Sequence, residues 1–97
     1  MSAPRFIIAM SAHQASLTAE QDWGWERGPQ RHTWMDHDSS VVRYVSHREE
    51  LFGLRETTIY LGYRWYVSDV VVDCGGESAF RAFCSQRDIT ISDKRSA

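Results

Sequence analysis

The chain has 97 residues, 42% apolar and 25% charged, with eleven basic and thirteen acidic side chains and a formal net charge of −2. That length suits one domain with a single modest core and excludes a cofactor domain beside a substrate domain. The ordinary composition excludes a wholly disordered chain, and no run approaches the roughly 18–20 apolar residues needed to span a bilayer.

Phe6-Ile-Ile-Ala-Met10 is apolar at every position, which predicts a strand covered on both faces, in the middle of a mostly parallel sheet. Ser11-Ala-His-Gln14 follows with capping-box spacing, and Ala12, Ala15, Ala19 and Trp23 then share one stripe of a helix that ends before Gly28-Pro29. Residues 26–40 show neither period and are expected to be a long loop, a first place to look for a contact surface. Val41 to Leu61 reads as strand, helix, strand: Val41-Val-Arg-Tyr-Val45 is β-prone, Ser46-His-Arg-Glu49 has capping-box spacing, Gly53 stops the helix and Thr57-Thr-Ile-Tyr-Leu61 is β-prone again. Val70-Val-Val72 favours a strand, although Ser68-Asp69 would equally cap a short helix. Glu77 to Arg87 is helical, with Ala79, Phe80, Phe83 and Cys84 on one stripe, and Asp88-Ile-Thr-Ile-Ser92 alternates as an edge strand should.

The expected fold is therefore α/β, a small single domain over residues 1–97 with a mostly parallel sheet of four or five strands and about three helices. The tail 93–97 has no apolar anchor and should fray. A sheet this small has edges to protect, so a homodimer through an edge strand or helix face is a further expectation. The start Met1-Ser-Ala-Pro-Arg5 leads into only five apolar residues, unlike a secretory signal, so Cys74 and Cys84 read as reduced thiols of a cytoplasmic protein.

Candidate chemistry is sparse. Asp73-Cys-Gly-Gly-Glu-Ser78 lies between the expected strand and a helix, so Asp73, Gly75, Gly76 and Ser78 form a candidate phosphate- or nucleotide-binding loop, with a simple tight turn as the plainer reading. Cys74 invites comparison with phosphatase loops, but six residues separate it from Arg81 where those loops have five, which turns the guanidinium about 100° around the helix. His32, Asp36, His37 and Asp38 are close in sequence, yet the two imidazoles are five apart in an expected loop and lack metal-ligand spacing. His13 and His47 fall in first turns and read as capping or surface residues. No Gly-x-Ser-x-Gly elbow occurs, so no catalytic residue, metal or cofactor is assigned.

The aromatic complement is heavy. Trp23 belongs on the alanine stripe, whereas Trp25, Trp34, Tyr63 and Trp65 lie in or beside expected turns with Arg64 among them, which makes these five candidate partner-binding residues. Such a surface can stack nucleic-acid bases, but the scattered arginines and weak basic balance favour a protein partner over nucleic acid.

Ten of the eleven basic residues are Arg, a usage typical of GC-rich genomes. The stretch from Ser46 to Gly62, with Leu51-Phe-Gly-Leu-Arg55 running into Thr57-Thr-Ile-Tyr-Leu61 and then Tyr63-Arg-Trp65, resembles a segment of small accessory proteins of bacteriophages that infect high-GC hosts such as actinobacteria. The likeness covers about a quarter of the chain and carries no catalytic residues. It implies a non-enzymatic protein-binding domain, a phage-encoded modulator or inhibitor of a host protein acting in the host cytoplasm. A phosphate- or nucleotide-binding protein is the alternative, and a nucleic-acid-binding protein the second.

Overall fold

The computed structural model describes residues 4–93, so the expected fraying of residues 94–97 lies outside the described part. In chain order the strands are β1 (Arg5–Ile8), β2 (Glu26–Arg27), β3 (Thr33–Met35), β4 (Val41–Tyr44), β5 (Thr58–Leu61) and β6 (Thr90–Ser92), and the helices are α1 (Ala12–Leu17), α2 (Asp69–Cys74) and α3 (Glu77–Gln86). The strands form one mixed sheet in the order β2-β3-β4-β1-β5-β6. The four strands from β4 to β6 are parallel, while β2 and β3 are added antiparallel at the β4 side. The α/β class stands, and the expected four or five strands are corrected to six among the described residues. Both edge strands, β2 and β6, are short.

β1 lies at the centre, and its period-2 alternation builds two cores. Phe6 and Ile8 join Ile59, Leu61, Trp65, Val70, Val71 and Phe80 beneath α2 and α3. Ile7 and Ala9 face the other way, with Ala15, Ala19, Trp23, Trp25, Trp34, Val42 and Tyr60, beneath α1. The all-apolar first strand is thus covered on both faces, as its composition requires.

The helical boundaries follow from local chemistry. Ser11 Oγ accepts the Gln14 N–H at 3.2 Å and starts α1. Thr18 Oγ1 bonds back to the Gln14 carbonyl at 2.8 Å, and the helix continues as a wider π turn over Thr18–Asp22 until Gly24 reverses the chain at φ 72°. The helix expected from Ser46 to Gly53 is a single 3-10 turn, Arg48–Leu51, capped by His47 rather than Ser46, and Glu50 rather than Glu49 closes its start by accepting the Ser46 and His47 N–H groups at 2.9 and 3.0 Å.

Two expectations are corrected. Val70-Val-Val72 is helical: Ser68 caps α2, accepting the Val71 N–H at 3.4 Å, and the consecutive Val70 and Val71 are both buried while Val72 is exposed, a pattern that suits a helix and no one-faced strand. Packing overrides the β preference of valine here. The expected 26–40 loop holds β2 and β3, joined by a tight reversal in which the Gly28 N–H bonds the Thr33 carbonyl at 2.9 Å and a Cβ on Gly28 would collide with the Thr33 side chain.

Just past the end of β5, the Gly62 N–H reaches the Ile8 carbonyl of β1 at 2.8 Å. A Cβ there would lie 3.0 Å from that carbonyl oxygen and 3.1 Å from Ala9 Cβ, both on the central strand's run. Gly62→Val is expected to cost roughly 2–3 kcal/mol through overpacking, read as a lower urea midpoint at unchanged slope. An unchanged midpoint would show that the two strands separate there freely.

Candidate functional site

The five candidate contact residues divide in two. Trp25, Trp34 and Trp65 are 4%, 1% and 6% exposed, so the expectation that these turn-located tryptophans face solvent is corrected. Trp34 is drawn inward because β3 pairs with β4, setting it opposite Val42, and its Nε1 donates to Glu20 at 3.0 Å. Trp25 packs on Trp23 and Tyr60 with ring centroids 4.8 and 4.7 Å apart, and Trp65 packs on Phe80. Tyr63 and Arg64 remain outside.

They belong to a surface at the carboxyl ends of β1 and β5, the end of a parallel sheet where α/β domains commonly bind. The Met10 N–H bonds the Tyr63 carbonyl at 2.9 Å, holding the two chain exits together. Arg64 takes a left-handed conformation at φ 51° and leads into a 3-10 turn, Trp65–Val67. Buried Trp65 anchors this turn, which leaves Tyr63, Tyr66 and Val67 exposed at 40%, 50% and 47%, with Met10 beside them. The Arg64 guanidinium sits 5.4 Å above the Tyr63 ring. Val67 and Met10 were missed from sequence because alternation of anchor and exposed neighbour inside a turn has no regular period, whereas Tyr66 closes the aromatic run Tyr63–Tyr66 already expected to make contact.

The candidate loop Asp73–Ser78 is not a strand-to-helix turn. Asp73 is in the last turns of α2 and Ser78 in the first turn of α3, and the two glycines between, at φ 107° and 109°, make the sharp helix-to-helix corner. The Gly75 and Gly76 N–H groups bond the Val72 and Val71 carbonyls at 3.0 Å, closing α2 in the manner of a C-terminal cap and leaving neither donor for a phosphate. The premise of a glycine cradle at a strand end is therefore corrected. Arg81 pairs with Glu77 at 3.2 Å and lies over the Trp65 ring, and burial pushes the Cys74 thiol up and that of Cys84 to about 11, opposite to what a thiolate nucleophile needs.

That corner does border a groove. Phe52, Cys74, Ala79, Ala82 and Phe83, with Arg48, line a depression of about 290 Å³ between the Arg48–Leu51 turn and α2 and α3. Arg48 Nη1 donates to the Asp73 carbonyl at 2.8 Å, and its guanidinium stands 5.6 Å over the Phe52 ring. The sequence places Phe83 on the stripe of α3 but does not join it to Phe52, because the two are 31 residues apart, in elements that meet only in the fold.

At the opposite end of the sheet, Asp36 is the centre of a buried polar cluster. Its Oδ2 accepts from Arg5 at 2.6 Å and Tyr60 at 2.8 Å, and its Oδ1 from the Ser40 and Asp38 N–H groups at 3.0 Å. Burial raises this carboxyl, but the Ser40, Tyr60 and Arg5 hydrogen bonds outweigh it and hold it below the usual carboxylate range. With every lone-pair direction engaged by the protein, the cluster is a structural clasp between β1, β5 and the β3–β4 corner. His32 and His37 are exposed, and the described residues contain no group of three His, Cys, Asp or Glu side chains placed to hold a metal ion. Among the same residues no helix is long and apolar enough to cross a membrane.

No family model, curated protein or solved structure matches this chain.

Proposed function

We propose that this domain acts by binding another protein through the Tyr63–Val67 turn and Met10, and that it is a phage-encoded modulator of a host protein, in line with the resemblance of its central segment. The observation that supports this reading is the turn itself. One buried tryptophan fixes it while two tyrosines, a valine and an arginine project into water. Large apolar side chains grouped at a surface mark interaction sites, and Tyr and Arg are the residue types enriched at interface hot spots. A protein suits the surface better than nucleic acid, since Arg64 is the one cation in the segment and the chain as a whole is acidic.

The test places a photoreactive phenylalanine analogue at position 66 and irradiates the protein in lysate of a high-GC bacterial host. One discrete cross-linked protein is expected, which then binds purified wild-type domain. Tyr66→Ala should weaken that complex by roughly 2 kcal/mol, about thirtyfold in Kd, without changing the unfolding midpoint, because the side chain is half exposed. Binding that survives Tyr66→Ala and Val67→Asp together would place the interface elsewhere.

A further inference from the structure

We infer that the groove between the Arg48–Leu51 turn and helices α2 and α3 binds a small apolar carboxylate, a site separate from the proposed protein-binding turn. Its volume of about 290 Å³ equals the liquid share of roughly ten waters, room for an acid of about ten non-hydrogen atoms. Phe52 and Phe83, 6.3 Å apart between ring centroids, together with Cys74 and two alanines, offer an apolar lining, and Gln86 is its one neutral polar residue beside the cation Arg48. Phe52 is 52% exposed in the empty groove, so an apolar guest would remove from water a large ring that the fold itself leaves wet.

Charge selects the guest. Arg48 has one hydrogen bond, from Nη1, while its Nε lies out of water with no acceptor. Arg87 stacks on Phe83 with its guanidinium 3.8 Å from the ring centroid. No salt bridge joins either arginine to a carboxylate among the described residues. Burial raises the Cys74 thiol most, with Arg48 and Arg87 opposing and Asp73 adding to the rise, so two cations and one anion bear on the groove's interior. A carboxylate held by the Arg48 guanidinium, whose one hydrogen bond leaves further N–H donors, would gain a charge-assisted hydrogen bond while its hydrocarbon lies on the phenylalanines. An apolar cation would gain no such bond and would meet like charge.

The experiment titrates octanoate, octanol and octylammonium into the wild-type domain and follows backbone amide shifts by NMR. Octanoate is expected to shift Phe52, Cys74, Ala82 and Phe83 saturably, octanol the same amides more weakly, and octylammonium none of them. Arg48→Met, which keeps the aliphatic stem, should weaken octanoate about tenfold and leave octanol within about twofold. Failure of octanoate to saturate these shifts, or equal response to octylammonium, overturns the inference on the wild-type protein alone. An Arg48→Met protein that folds and binds octanoate unchanged overturns it as well. The photo-cross-linking result at Tyr66 is independent of either outcome.

Discussion

Trp34→Ala will lose about 3–5 kcal/mol of folding stability, a large share of the roughly 5–15 kcal/mol that holds a domain of this kind together. The indole is almost wholly buried, packed with Trp23, Trp25, Val42 and Tyr60 in the core beneath α1. Its removal leaves a cavity that strand pairing on both sides, to Arg27 and Val42, prevents from collapsing. It also takes from Glu20 one of the donors that, after Ser16, hold that carboxyl below its ordinary range. Trp34→Phe keeps most of the apolar volume and should cost only about 1–2 kcal/mol, chiefly the lost hydrogen bond. Urea denaturation followed by circular dichroism separates the two. A Trp34→Ala cost below about 1 kcal/mol would mean that the side chain is not core. A binding defect in this variant would therefore report a damaged fold, whereas Tyr66→Ala reports contact.

Asp36→Ala comes next, at about 3 kcal/mol, because it removes the buried acceptor shared by the Arg5 guanidinium and the Tyr60 hydroxyl and unties the β3–β4 corner at once. Arg5 keeps a partner in Asp38, which is well exposed, and its own side chain is a quarter exposed, so the loss falls at the lower end for a broken buried pair. The same cluster sets a pH dependence. Asp36 and Glu50 are pushed up by burial but pulled further down by hydrogen bonds, and Glu20 is lowered first by Ser16 and then by Trp34. Each therefore binds a proton less readily in the folded chain than in the unfolded one. Their stabilisation is complete above the unfolded carboxyl range, near pH 4–5, and is lost as pH falls through the lower folded values. Wild type should lose stability steadily on acidification below about pH 5. Asp36→Ala, already without one of the three groups, should show a shallower decline over the same range. Parallel declines would show that Asp36 is no more easily ionised in the fold than out of it.

What could be read without the structure was whatever is decided within a few residues. The cap at Ser11, the stripes of α1 and α3, the stop at Gly53 and the two-sided burial of β1 all express short-range hydrogen bonding or side-chain period, while the cap before Arg48 was read one residue early. Val70-Val-Val72 sat on the border, since β-branching and a serine cap pull opposite ways, and the apolar face under α2 settled it for helix. The 26–40 segment was opaque because strands of two and three residues carry no measurable period. They exist only because β4 offers an edge to pair with.

The amino-acid sequence by itself determined the class of fold, the central strand and most helix starts, since those follow from local free-energy differences. Tertiary structure alone decided which aromatics meet water, because inward or outward is fixed by pairing with a distant strand. It also assembled the two sites with polar consequence. Asp36 reaches Arg5 across 31 residues and Tyr60 across 24, and Arg48 meets Phe83 only after two helices have folded back over the sheet. Contacts of that separation leave no mark on neighbouring residues, so no local pattern could have announced them.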